Sequence, residues 1–182
     1  TLKIIKYNKY LQNKLDISTI NYQLCSKKYI IYKSNTQGNI YDSNNNLIYS
    51  GGISHGIKNG YGFEYDIFGT LLFEGEYLNG KRNGKGEEYN ERRVLIFKGE
   101  YFEGKKWNGT GYDGNSQLSG IVNSAVYELK EGKGYVKEYY EYNKLMFEGE
   151  YLNGEKNGKG KEYYPDGNLQ FEGEYLNGKK WD

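Results

Sequence analysis

The side chains able to do chemistry are few and scattered. The one histidine, His55, stands at the place that Asn79 fills in the next stretch of similar sequence. A lone imidazole builds neither a metal cluster nor a kinase catalytic loop, so it reads as a solvated turn residue. The one cysteine, Cys25, excludes an intramolecular disulfide framework and a cysteine-based zinc site. It suits a reducing compartment and reads as a small buried hydrophobe. Glu74, Glu76, Glu100, Glu148, Glu150, Glu172 and Glu174 recur at fixed steps along the chain, which marks a structural position rather than an acid/base pair. The stretch GKRNGKG from Gly80 to Gly86 has a lysine after a glycine. A phosphate-binding loop needs four residues between its glycines, a hydroxyl residue after the lysine and a following helix, and here a strand follows. Asn108-Gly109-Thr110 is a glycosylation triplet without a signal peptide to expose it. No catalytic residue, metal site or cofactor is expected, and the chain reads as a non-enzyme.

The elements that must position these residues are announced by glycine. Gly-x-Gly pairs fall at Gly60/Gly62, Gly84/Gly86, Gly109/Gly111, Gly132/Gly134 and Gly158/Gly160, at steps of 24, 25, 23 and 26 residues. An aromatic or apolar residue, a glycine and a second apolar residue at alternate positions form a further marker. It occurs at Tyr49-Gly51-Ile53, Phe73-Gly75-Tyr77, Phe97-Gly99-Tyr101, Leu118-Gly120-Val122, Phe147-Gly149-Tyr151 and Phe171-Gly173-Tyr175. Within FEGEYLNG (73–80) the period of two places Phe73, Gly75 and Tyr77 on one face and Glu74, Glu76 and Leu78 on the other, which is a strand. Asn79-Gly80 and Asn83-Gly84 read as a turn rich in residues that tolerate positive φ, with the return through residues 85–89. Pro165 with Asp166-Gly167 supplies the second reversal. The pattern predicts an all-β, elongated single-layer antiparallel meander of stacked hairpins, whose glycines leave notches for rings from the adjacent strand.

Residues 49–182 read as an array of about six units, the last incomplete. Residues 1–48 read as an N-terminal cap with a degenerate half-repeat, because Gly38 and Tyr41 match Gly62 and Tyr65 at a shift of 24. The fourth unit (118–140) departs most, with Ser119, Val122 and a lengthened turn from Ala125 to Glu131. Phe-Glu-Gly-Glu-Tyr-Leu-Asn-Gly followed by Asn-Gly-Lys-Gly and Tyr-Pro-Asp-Gly resembles the MORN (membrane occupation and recognition nexus) repeat, including variants in bacterial antitoxin-like proteins. Tyrosine or isoleucine stands where many MORN units carry tryptophan. The resemblance implies a sheet that serves as scaffold, dimerisation or lipid-associated module.

Composition narrows the partners. The 25 basic and 24 acidic side chains give a net charge of +1, so no whole-molecule field draws the protein to nucleic acid. No apolar run approaches the length of a membrane span, and the expected location is cytoplasmic, extending to the cytoplasmic face of a membrane. Two surfaces stand out. The aromatic ladder of Phe73, Tyr77, Phe97, Tyr101, Phe147, Tyr151, Phe171 and Tyr175 is first of all the fold's own packing, but one open side would give a groove for a protein partner or a second copy. Lys58, Lys81, Arg82, Lys105, Lys106, Lys156, Lys179 and Lys180 read as hairpin-tip residues that align into a basic ridge. That ridge either keeps the edge soluble or meets anionic phosphoinositide-type lipid. The preferred expectation is a non-catalytic protein-binding scaffold. The alternatives are a membrane-associated module and the regulatory repeat region of a larger enzyme, such as a lipid kinase or methyltransferase.

Overall fold

A glycine near the middle of most strands, with a ring two residues before it in every other strand, dictates a sheet that carries its core on one face. The computed structural model describes residues 28–114, 124–140 and 144–181. These form fourteen antiparallel strands in chain order: β1 (Lys28–Tyr32), β2 (Gln37–Asp42), β3 (Leu47–Ser54), β4 (Ile57–Tyr65), β5 (Leu71–Leu78), β6 (Lys81–Tyr89), β7 (Leu95–Phe102), β8 (Lys105–Tyr112), β9 (Ala125–Leu129), β10 (Gly134–Tyr139), β11 (Leu145–Leu152), β12 (Glu155–Tyr163), β13 (Leu169–Leu176) and β14 (Lys179–Trp181). Each strand pairs with its neighbour in sequence, giving a nine-stranded sheet (β1 to β9) and a five-stranded sheet (β10 to β14). The protein is an all-β hairpin meander that does not close into a barrel.

The hairpin turns are shorter than the sequence pattern predicts. Asn79 (φ 50°) and Gly80 (φ 86°) alone make the reversal between β5 and β6, a two-residue turn of the type whose twist matches the flanking strands. His55-Gly56 takes the same turn conformation, as its alignment with Asn79 predicts. Asn83-Gly84 is therefore not part of the turn. It lies in β6, where three residues on one strand oppose one on the other: Tyr77 faces Arg82, while Gly75 faces Gly86. This bulge corrects the position of the basic residues. Arg82 is the second residue of a strand, on the same face as Tyr77, and not a tip residue.

Successive turns are tied together. Gly80 N–H donates to Lys58 C=O (2.9 Å), Gly104 to Arg82 (2.8 Å), Gly132 to Trp107 (2.7 Å), Gly154 to Gly132 (2.9 Å) and Gly178 to Lys156 (2.9 Å). This column crosses from one sheet to the other. At the opposite ends of the strands, the Asp66 carboxylate accepts from Phe68 and Thr70 N–H at 2.8 Å each, and the Asn90 side chain accepts from Arg92 and Val94 N–H in the same way. The Pro165-Asp166 reversal is present, closed by Gly167 N–H to Tyr164 C=O (2.8 Å).

The fourth unit is where the sequence pattern misleads. Ala125–Leu129 is a strand paired with β8, not a turn, and the turn is Glu131-Gly132. Gly132 is thus a turn glycine like Gly80, out of phase with the other Gly-x-Gly pairs. Leu118, Gly120 and Val122 lie outside the described residues, as do residues 1–27 of the expected cap region 1–48. Gly38 pairs with Gly51 as Gly62 pairs with Gly75, so β1 and β2 carry the repeat register into the region before residue 49.

The core follows from the glycine notches. The Phe73 ring lies across Gly75 of its own strand and Gly86 of the next, which face each other in register. A Cβ on Gly86 would stand 2.7 Å from Phe73 Cε2 and closer still to Cζ. Tyr49 lies over Gly62, Phe147 over Gly160, and Phe171 over Gly173 in the same manner. We predict that Gly86→Val lowers stability by about 3 kcal/mol, as overpacking does, read as a lower urea midpoint with an unchanged slope.

Candidate functional site

The sheet has two faces of different character, and the predicted site residues divide between them. On the inner face, Phe73, Phe97 and Phe147 are completely buried, and Tyr77, Tyr101 and Tyr175 nearly so. Tyr151 and Phe171 are half-buried. Phe73 and Phe147 each meet the tyrosine four residues on and that of the following unit edge to face: Phe73 to Tyr77 at 5.6 Å and to Tyr101 at 5.1 Å between ring centres, Phe147 to Tyr151 at 6.0 Å and to Tyr175 at 5.5 Å. The ladder that the sequence marks as a docking groove is consequently the interior of the array. It offers no open trough in this structure, because a second set of side chains roofs it.

That roof is made by the basic residues. The Arg82 guanidinium lies 4.0 Å from the Phe73 ring centre, Lys106 Nζ 5.1 Å from Phe97, Lys156 Nζ 3.9 Å from Phe147, Lys180 Nζ 4.6 Å from Phe171 and Lys58 Nζ 4.8 Å from Tyr49. Five of the eight residues expected at the tips are therefore on the inner face. Only Lys81, Lys105 and Lys179 remain at the tips. The cause is the two-residue turn, which places the first residue of the returning strand outward and the second inward.

Carboxylates from the same strands hold the cations in place. Lys58 pairs with Glu64, Glu64 with Arg82 (2.6 Å), Arg82 with Glu88 (3.1 Å), and Glu88 with Lys106 (2.7 Å). Beyond the junction of the sheets, Glu138 approaches Lys156 (3.7 Å), Lys156 pairs with Glu162 (3.2 Å), and Glu162 with Lys180 (2.9 Å). Charges thus alternate in sign along the inner face. Strand β8 supplies a cation but has Gly111 opposite Phe97, where β6 has Glu88 opposite Phe73. Strand β10 supplies the missing carboxylate, Glu138. The Tyr127 ring fills the space over Gly111 and stacks on Phe97 at 6.4 Å. Tyr127 pairs with Gly111 as Phe97 pairs with Glu88, so it holds the ladder-ring position, and sequence reasoning missed it because Leu129 stands where the other units carry the paired glycine.

Burial alone would raise the Glu64 and Glu88 carboxyls. At Glu64 the Arg82 guanidinium, with Lys58, outweighs burial; at Glu88 the Lys106 ammonium and Arg82 do so, and both acids are held below the ordinary glutamate value. Burial would likewise lower Arg82 and Lys106, but Glu64 and Glu88 respectively hold them above their usual ranges. The Tyr49 hydroxyl is pushed up to about 12 by burial and by Glu64. These groups are half-buried and fully committed to one another.

The outer face carries Glu74, Glu87, Lys98 and Tyr89, joined by Lys98–Glu87 (2.9 Å) and by hydrogen bonds from the Tyr89 hydroxyl to Glu74 and Glu87 (2.6 and 2.7 Å). At the tip end of this face stand Ile57, Leu78, Phe102, Leu152 and Leu176, all exposed. Among the described residues no group of three or more His, Cys, Asp or Glu side chains is placed to hold a metal ion, and no helix is long and apolar enough to cross a membrane.

An open antiparallel meander of hairpins is consistent with MORN repeats. Residues 49–66, 73–90 and 147–169 match the MORN repeat family, and the chain carries MORN repeats at these three positions. No curated protein matches the chain.

The alternating charges give a sharp stability test. Arg82→Met leaves Glu64 and Glu88 each short of a cation in a half-buried setting, and should cost about 3 kcal/mol, whereas Lys81→Met, whose 3.8 Å contact with Glu103 is exposed, should cost under about 0.5 kcal/mol. Because the folded-state values of Glu64, Glu88 and Glu162 lie below the unfolded reference of 4.5, their contribution is complete above that pH. It is lost as pH falls through the lower folded values. Thermal midpoints of the wild type should hold from neutral pH to about 5 and drop below about 4.5, with a shallower drop in Arg82→Met.

Proposed function

We propose that this protein is a non-catalytic scaffold that binds a protein partner on its outer face, at the hairpin-tip row. The observation that carries this reading is the contrast between the faces. The inner face is closed by its own rings, cations and carboxylates, while Leu78 and Phe102 remain 51% and 52% exposed at equivalent positions of successive hairpins. Ile57 lies beside this row, with its Cγ2 3.0 Å from where a Cβ on Gly80 would sit. Apolar side chains held in register by a hydrogen-bonded sheet present a preorganised surface, and the loss of freedom on binding is correspondingly small. The repeats support a module for protein or membrane binding in general.

Membrane association is the weaker reading. With five of the eight basic residues engaged on the inner face, three tip lysines remain, and at about 1 kcal/mol per residue near an anionic surface they supply a modest attraction. Lys105 is further engaged with Glu155 at 2.9 Å.

Affinity capture with the wild type and with Leu78→Asp/Phe102→Asp tests the proposal. Both side chains are exposed, so the double variant should keep its melting midpoint. It should lose the specifically retained protein while binding anionic vesicles no differently. Retention of the same proteins by both forms would refute a tip-row interface, and loss of vesicle binding alone would favour the membrane reading.

A further inference from the structure

Four strand reversals at the end of the sheets opposite the hairpin tips fold alike. In each, the first residue donates its N–H to the carbonyl four residues on: Asp42 to Asn46 (3.0 Å), Asp66 to Thr70 (3.0 Å), Asn90 to Val94 (3.0 Å) and Tyr164 to Asn168 (2.9 Å). A residue of positive φ follows the apex, namely Asn45, Gly69, Arg93 and Gly167. The two apex positions carry no structural duty, and three reversals fill them with ordinary turn residues, Ser43-Asn44, Glu91-Arg92 and Pro165-Asp166. The fourth has Ile67-Phe68. Phe68 is 86% exposed, the most exposed large apolar side chain among the described residues, and Ile67 is 62% exposed. The turn beneath them is fixed by the Asp66 carboxylate, which accepts from Phe68 and Thr70 N–H at 2.8 Å each.

Beside this knob lies a surface hollow of about 410 Å³, between neighbouring reversals. Leu47 and Tyr65, both half-buried, line it with Asn45 and Asn46, and Ile67 and Phe68 form a further part of its wall. A projecting ring next to a recess that it helps to line fits a copy of itself. In a two-fold pair each Phe68 enters the other hollow, and the same contact forms twice. The charges permit this. Asp66 is the one charged side chain in the lining, and its carboxylate is turned onto its own backbone amides. No lysine or arginine lines the hollow, so an anionic bilayer finds no counter-charge there. The area is in keeping with a pair of copies. An aromatic side chain buries about 150 to 250 Å², and two of them, with two isoleucines and the recess walls they cover, reach the low end of specific interfaces, about 1,200 Å² in total. Such a dimer is reversible.

We propose that the protein forms a two-fold dimer through this end, with Phe68 of each copy seated in the hollow lined by Leu47 and Tyr65 of the other. The site lies at the opposite end of the strands from the tip row. A dimer therefore leaves both tip rows open, and the site stands whether or not that row binds a protein.

Sedimentation velocity of the full chain over a wide concentration series tests the dimer. The wild type should pass from monomer to dimer as concentration rises. Phe68→Ser should raise the dissociation constant at least about tenfold, because each dimer loses two buried rings, while its melting midpoint at low concentration stays that of the wild type. Leu78→Asp/Phe102→Asp, altered only at the tip row, should dimerise as the wild type does. A wild type that stays monomeric throughout, a Phe68→Ser form that dimerises equally well, or dimerisation lost in the tip-row variant alone would each overturn the proposal. Flotation with neutral and with anionic vesicles covers the other occupant: a monomeric wild type that binds vesicles only when Phe68 is present would assign the apex to a lipid surface and overturn the dimer.

Discussion

The structure depends on one contact repeated along the chain: an aromatic ring lying flat on bare backbone where two glycines face each other, with a cation resting on the ring. A single-layer sheet has no second sheet or helix to shield its apolar face, and so must cover its rings with side chains from the same layer. Removing two Cβ atoms lets Phe73 sink onto Gly75 and Gly86. The Arg82 stem and guanidinium then close the top. The arrangement works because arginine and lysine cover apolar area with their methylene chains while keeping a charged end for hydrogen bonding.

Placing cations over rings creates an electrostatic demand, and the alternating carboxylates meet it. Glu64 and Glu88 each pair with a cation of their own unit and with one of the next, so these carboxylates tie successive hairpins together. Pairs of this kind contribute little over well-packed apolar residues, but they are costly to break singly. They also set the register between hairpins. The hydrogen bonds between successive turns do the same at the tips, including across the break between the sheets, where Gly132 both donates to Trp107 and accepts from Gly154.

Much of this was legible in the sequence, and the parts that were not share a cause. Alternation within FEGEYLNG fixes the strand and its two faces, and the spaced glycines fix the repeat, because both follow from the two-residue period of a strand. The location of Arg82 and its equivalents does not follow from period alone. It depends on which of two neighbouring Asn-Gly pairs makes the turn, and the bulge at Asn83 to Lys85 hides the answer. The restriction of tight hairpin turns to two residues would have identified Asn79-Gly80 and turned Arg82 inward. The fourth unit was misread for a related reason: Gly132 looks like a notch glycine but bends a turn, and Leu129 stands where the other units carry the paired glycine. The cover over the aromatic ladder is not legible in the period of the rings, because it comes from Arg82, Lys106, Lys156 and Lys180 on the returning strands.

The alternation of sign has a bearing on how such a chain changes length. A complete hairpin pair brings one positive and one negative group to the inner row, so duplication or loss of a whole unit leaves the order of signs intact. Both groups of a pair sit on one strand, Arg82 and Glu88 on β6 and Lys156 and Glu162 on β12, so loss of one group alone would set two like charges side by side. The irregular stretch obeys this constraint, with β8 giving only Lys106 and β10 only Glu138. Whole repeats are thus the increments that leave the inner row undisturbed, and across the junction Lys106 and Glu138 together stand in for one such pair.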